Sequence, residues 1–414
     1  MIENRNKTAE EIFLCAVDKA NPYTSVFNEI SSRHFNNPAV VAAGKAAAPM
    51  AAGTFDALGK QARSVTVLTK YGHTPDDIPE GFITFEAGHP VPDENGLYAS
   101  KYIIDKCRTL KDGDELIFLL SGGASALFEY PEVSLDELKD ITNELLKSSA
   151  DITEINTIRK RLSKVKGGKF ARDCKAKIYC VILSDVISND ISSVASGPCC
   201  ADFTTCDQAE AIINKYNIHL SETAKKFIKT ETPKKINNVT VSVVGDISIL
   251  CKSAKEKAES LGFDAKIVTD SMTGEARDRA KEVCLYAVDL QKKITVPTAL
   301  IYGGETTVTV KGSGKGGRNQ EMALTAAKFL DKTKGITFLS AGSDGTDGPT
   351  DAAGGIADGS TAEIMKKNGV DIDSALKDNA SYNALKSSNS LLITGATGTN
   401  VNDLTLVLID INNT

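Results

Sequence analysis

Histidine is scarce in this chain: only His34, His73, His89 and His219 occur among 414 residues. A histidine-built metal centre or a Ser-His-Asp triad has little material to work with. Cysteine is present but unpatterned. The nine cysteines are odd in number and contain no C-x-x-C pair, so neither a disulfide framework nor a zinc site is indicated. Small buried thiols in a reducing compartment are the expected reading. No apolar run is long enough to span a bilayer. Positive charge is not in excess: the formal net charge is -6, which argues against nucleic acid as a general partner. The opening MIENRNKTAEEIFLCAVDKA reads as an amphipathic helix without the apolar block and cleavage site of a signal peptide, which makes the cytoplasm the expected location. No repeat of fixed period is visible.

What the chain does have is ordinary globular composition, 41% hydrophobic and 25% charged, over a length that predicts two domains. Continuous β-branched runs such as AVVAAG (39–44), ELIFLLSGG (115–123), KIYCVILSD (177–185), TALIYGGE (298–305) and ITFLSAGSDG (336–345) alternate with helical patterns. This predicts an α/β architecture whose sheets are buried on both faces. The polar, basic KTETPKKINN (229–238), broken by Pro233, predicts a boundary, giving domains 1–235 and 236–414. In the second, the Thr/Val alternation of TTVTVKGSGKGG predicts a marginal strand and a mixed sheet.

The unusual residues cluster at strand ends, where open α/β sheets bind ligands. Gly44 and Lys45 close the first strand and open a helix, an arrangement that suits a phosphate or carboxylate. It is not a P-loop, because Ala39 stands where G-x-x-x-x-G-K needs its first glycine. A solvated first-turn lysine is the plainer alternative. Ser121, Gly122, Gly123, Ala124 and Ser125 let backbone N–H groups approach a ligand, or simply make a tight capped turn. Asp185, followed by Asn189 and Asp190, is placed to hold Mg²⁺, to take a proton, or to cap a helix. In SAGSDGTDGPTDAAGG (340–355), Asp344, Asp347 and Asp351 suit an ion or polar ligand, although a plain Asx-turn loop competes and the EF-hand pattern is missing.

The densest stretch is GGETTVTVKGSGKGGRNQEMAL (303–324). Gly303, Gly304 and Glu305 end a strand; Lys315, Gly316, Gly317 and Arg318 then open a helix. A glycine turn and a helix N-terminus armed with an arginine fork predict a grip for an anion. Two cationic grips and two acidic loops together are what phosphoryl transfer requires.

These segments also carry a resemblance. AAGKAAAPMA, EAGHPVPDENGLYAS, LLSGGASAL, INTIRKRLSKVKGGKFA, LSDVISNDISSVASGP, AGSDGTDGPTDAAGG and GATGTNVNDLTLVLI, in this order over nearly the whole chain, resemble the glycerate 2-kinases whose C-terminal half is the MOFRL domain. The resemblance implies a Rossmann-like doubly wound N-terminal domain, a MOFRL-type C-terminal domain and an active site in the cleft between them. It implies transfer of phosphate from ATP to the 2-hydroxyl of D-glycerate with Mg²⁺, and it places the catalytic lysine on Lys45, the cleft arginine on Arg318 and an aspartate on Asp185. The expected substrate contacts are Ser121, Gly122, Gly123, Ser125 and Arg318. The expected nucleotide contacts are Gly303, Gly304, Glu305, Lys315, Gly317, Asp344, Asp347 and Asp351, and the expected metal ligands are Asp185, Asp190 and Glu305. A homodimer is the assembly to test. The alternatives are a kinase for another hydroxy acid, a hydroxypyruvate reductase, and a sensor that binds without turnover. A nicotinamide site would need G-x-G-x-x-G after a strand with an acid about 20 residues on, which this sequence lacks.

Overall fold

The computed structural model describes residues 2–59, 61–75, 77–183 and 194–411. The chain forms two compact units, residues 22–244 and residues 1–21 with 245–414. The break falls later than the expected boundary at 235/236, because the strand Val239–Gly245 still pairs into the first sheet. The N-terminal helix Ile2–Lys19 belongs to the other unit, where Ile12, Phe13 and Ala16 are fully buried.

The first sheet contains β1 (Ala39–Ala43), β2 (Ser64–Lys70), β3 (Phe82–Ala87), β4 (Glu115–Leu120), β5 (Lys177–Leu183) and β6 (Val239–Gly245), in the order β3-β2-β1-β4-β5-β6. β1 pairs in parallel with both β2 and β4, β2 with β3, and β4 with β5. This is the doubly wound Rossmann order, with its topological switch between β1 and β4. Every residue of β1 is buried, as a strand covered on both faces must be. On one face Val41, Leu68, Leu120 and Ile182 pack with Phe118, Phe128 and Phe170, whose ring centroids lie 4.8–5.5 Å apart. A satellite core joins the helices Leu135–Lys147, Ile152–Leu162, Cys206–Tyr216 and Glu222–Ile228 through Leu138, Ile141, Ile155, Ile158 and Ile212. The helix Ile152–Leu162 starts at a capping box made by Asp151 and Glu154.

The second sheet contains β7 (Asp264–Met272), β8 (Thr298–Gly304), β9 (Ile336–Gly342), β10 (Gly354–Asp358), β11 (Leu391–Leu392) and β12 (Asp403–Ile409), in the order β11-β10-β9-β12-β8-β7. It is mixed: β12 runs antiparallel to both β8 and β9, while β7 and β8 are parallel. The expected marginal strand in TTVTVKGSGKGG does not form. After Gly304 the segment makes one isolated bridge, Thr307 to Glu275, and then runs irregularly to the helix Arg318–Phe329. Thr/Val alternation describes a half-buried ribbon, but β7 already occupies the place beside β8. No helix among the described residues is long and apolar enough to cross a membrane.

Candidate active site

At the switch point of the first sheet, the loops after β1 and β4 are laced together. Ser121 N–H donates to Ala43 O (3.0 Å), Lys45 N–H to Gly122 O (2.9 Å) and Ala46 N–H to Ser121 Oγ (3.1 Å). Gly123 takes φ 85°, a left-handed conformation that favours glycine, and begins the single helical turn Ala124–Leu127. A Cβ added there would lie 3.2 Å from Lys45 Cγ and 3.1 Å from His89 Cδ2, so the lysine stem, the imidazole and the loop backbone converge. Burial pushes the His89 pKa down, and the charges of Lys45, Lys70 and His73 push it further. The two loops expected to bind an anion, at Lys45 and at Ser121–Ser125, are thus brought to one place. Composition and spacing do not single out His73 or His89; the motif EAGHPVP is the one signal that points to His89.

The far flank of the same loop is also cationic. Ser125 O accepts from Arg159 Nη2 and from Lys166 Nζ, both at 2.8 Å. Lys166 is fully buried, caps Phe128 O at 3.1 Å and pairs with the equally buried Glu129 at 3.1 Å. Burial pushes its pKa down to about 8. Ser125 Oγ lies 2.9 Å from Ser196 Oγ, and Ser196 donates to Asn156 Oδ1 at 3.0 Å. Ala195 (φ 53°) and Ser196 (φ 56°) are consecutive left-handed non-glycine residues. Such strain persists only where neighbours over-determine it. Here Gly167 N–H donates to Ser196 O (3.0 Å) and Gly168 N–H to Gly197 O (2.8 Å).

In the second unit the strand order assembles a different cluster. Asp403, at the start of β12, pairs in register with Gly304 at the end of β8 and with Gly342 at the end of β9. Arg318 grips it with both arms, Nε to Oδ2 at 2.5 Å and Nη2 to Oδ1 at 3.0 Å, and reaches Glu305 through Nη1 at 2.8 Å. Burial pushes Asp403 up to about 6 against the opposing pull of Arg318. Burial also raises Asp347, which accepts the backbone N–H groups of Gln320 (2.8 Å) and Asn319 (3.2 Å).

These contacts correct the sequence reading of the 303–324 stretch. The Arg318 fork closes on the protein's own Asp403, and Asp347 takes the free N–H groups of the helix start. The glycines serve close packing. A Cβ at Gly312 would lie 2.3 Å from Asp378 O, one at Gly314 2.5 Å from the same oxygen, and one at Gly316 2.1 Å from Ser381 Oγ. Lys315 Nζ lies 4.6 Å above the Tyr382 ring, whose hydroxyl donates to Asp351 Oδ1 at 2.7 Å. Asp344 accepts Thr346 N–H at 2.9 Å in an Asx turn. Gly303 and Gly304 are buried in β8, and Gly317 abuts the Asp347 carboxylate.

Asp185 and Asp190 lie outside the described residues. Among the described residues no three His, Cys, Asp or Glu side chains are grouped to hold a metal ion, and Glu305 is engaged by Arg318. A divalent ion enters the proposal only as part of the nucleotide substrate.

Residues 8–229 match a family described as a domain of unknown function, DUF4147, and residues 298–403 match the MOFRL family. The chain is 46% identical to the D-glycerate 2-kinase of Thermotoga maritima over 98% of its own length and 99% of that protein. It is 37% identical to the glycerate 2-kinase of Pyrococcus horikoshii, with 95% of each chain covered. The crystal structure of glycerate kinase from Thermotoga maritima superposes with a TM-score of 0.96 over 98% of this chain and 100% of that one.

Proposed function

The chain belongs to the MOFRL-type glycerate 2-kinases, and from that premise we propose that it moves the γ-phosphoryl group of ATP, supplied as its magnesium salt, to the 2-hydroxyl of D-glycerate. The observation that supports this most is the switch-point site: Lys45 N–H donates to Gly122 O, and the Lys45 stem meets the glycine loop at Gly123 beside His89. Phosphoryl transfer needs little covalent chemistry and much fixed positive charge.

In this reading the glycerate hydroxyl attacks the γ-phosphorus in line. Lys45 neutralises charge on the transferring group, and loop N–H groups hold its oxygens. Arg318, made rigid by Asp403, adds a fixed positive field at the nucleotide, which we set against Glu305, Lys315 and the 342–351 loop. Asp185 would orient the hydroxyl or take its proton late. The cytoplasm and a homodimer belong to the same proposal.

The test is direct. Purified protein is given MgATP and a panel of hydroxy acids, and phosphorus NMR locates the phosphate; a parallel set receives hydroxypyruvate with NADH. Initial formation of 3-phosphoglycerate, or hydride transfer without phosphorylation, would sink the proposal.

A further inference from the structure

The segment from Arg159 to Lys169 carries six cations, and the structure gives nearly every buried one a counter-charge or a full set of acceptors. Lys160 pairs with Asp202 at 3.3 Å. Arg161 lies between Asp202 (3.8 Å) and Glu231 (3.5 Å) and donates to Thr157 O, Thr204 O and Thr204 Oγ1. Lys166 holds Glu129, and Lys169 donates to Arg161 O and Ser163 O. Arg159 differs. It is half-buried, and among the described residues its one hydrogen bond is the 2.8 Å contact of Nη2 with Ser125 O. Among those residues no carboxylate comes within ion-pair distance of it. A guanidinium has five N–H donors in a rigid fork, so among the described residues most of this one is unengaged. Burial lowers its pKa; among the described residues Glu129 opposes this, and Glu129 is committed to Lys166. A desolvated cation in this state is costly unless a ligand supplies the anion.

Beside it stands a hydroxyl with a set direction. The Ser196 proton goes to Asn156 Oδ1, so in the 2.9 Å contact of Ser125 Oγ with Ser196 Oγ the serine at 125 is the donor. Among the described residues that leaves the lone pairs of Ser125 Oγ free to accept. A vacant fork next to a hydroxyl acceptor matches a carboxylate with a neighbouring alcohol.

Resting on the kinase reading, we propose that Arg159 binds the carboxylate of the hydroxy-acid acceptor, with Ser125 Oγ accepting a hydroxyl of the same molecule. Arg159 is thus the residue that selects an acid over a neutral polyol. The Ser125 carbonyl, pinned by Lys166, aims the fork.

Arg159→Lys and Arg159→Met, with MgATP and either D-glycerate or glycerol, test this. Lysine keeps the charge and loses the fork, so the KM for D-glycerate should rise at least about tenfold, and further in the methionine variant. The KM for ATP, the glycerol rate and Tm should hold within error, so the preference for glycerate over glycerol falls by the same factor. A glycerate KM within twofold of wild type in Arg159→Lys overturns the proposal. So does a rise in the KM for ATP instead, which would give the fork to a nucleotide phosphate. If Arg159→Met does not fold, Arg159→Lys decides alone. If wild-type protein phosphorylates no glycerate, the kinase reading fails separately. Calorimetry of D-glycerate, with glycerol as the neutral comparator, on wild type and Arg159→Lys then decides the role of the arginine: weaker acid binding by the variant supports it, and equal binding overturns it.

Discussion

Arg318 and Asp403, 85 residues apart in sequence, meet arm to arm: Nε and Nη2 of the one hold Oδ2 and Oδ1 of the other at 2.5 and 3.0 Å. The cation that the sequence offers to a ligand is first held by the protein itself. Its remaining arm is shared with Glu305.

This pair should titrate. Burial raises Asp403 to about 6, so the ionised pair is complete only above that pH. The expected outcome is a fall in kcat below about pH 6 that is missing from the flat, slower profile of Asp403→Asn. The stability sign is opposite. A carboxyl whose folded pKa exceeds its unfolded value of about 4 stabilises most at low pH and loses that contribution as pH rises toward 6. An acid loss of rate therefore should not coincide with an acid loss of Tm from this group, and rate and melting profiles measured together check both.

Lys45→Ala should leave folding nearly intact and remove turnover. The side chain lies ahead of the helix Ala47–Ala57, stretched past Gly123, and carries no core packing. Loss of one such charge costs about 10²–10³ in rate. A kcat near wild type in the variant would remove Lys45 from the mechanism.

Gly314→Ala separates packing from ligand binding in the glycine-rich stretch. The added methyl would meet Asp378 O and Ala380 Cα at 2.5 and 2.6 Å, both backbone. A loss of about 3 kcal/mol is expected, with the KM for ATP within twofold in the folded fraction. Denaturant melts and initial rates measure the two quantities. Unchanged stability with a raised KM would return the glycines to a binding role.

Lys166→Met should be far more harmful than an exposed lysine change. It leaves the Glu129 carboxylate buried and unpaired, which typically costs about 3–5 kcal/mol. Adding Glu129→Gln should recover most of the loss. Chemical denaturation of the single and double variants reads this directly; a double variant no better than the single one argues against the pair as the cause.

The alternation of buried runs with helical patterns, and the crowding of glycine and charge at strand ends, were legible in the sequence. Hydrophobic periodicity reports burial and glycine reports close approach, and both are local. Hence the α/β class and the glycine-rich strand ends at Gly44–Lys45 and Ser121–Ser125 were readable, whereas the mixed character of the second sheet comes from β12 and not from the Thr/Val segment that suggested it. Partner choice is not local. Only the order β3-β2-β1-β4-β5-β6 makes the Lys45 and Ser121 ends neighbours, and only β12, lying between β8 and β9, carries Asp403 to Arg318. The same holds for the helix Ile2–Lys19, whose apolar face fits a core assembled from the other end of the chain. Arg159 shows the limit most plainly. Among six cations in eleven residues the sequence makes it one of many, and it stands apart only after folding has given the buried Lys160, Arg161, Lys166 and Lys169 their acids and carbonyls. A counter-charge is supplied by whatever the tertiary structure brings within a few ångströms, and the spacing of residues along the chain does not encode that distance.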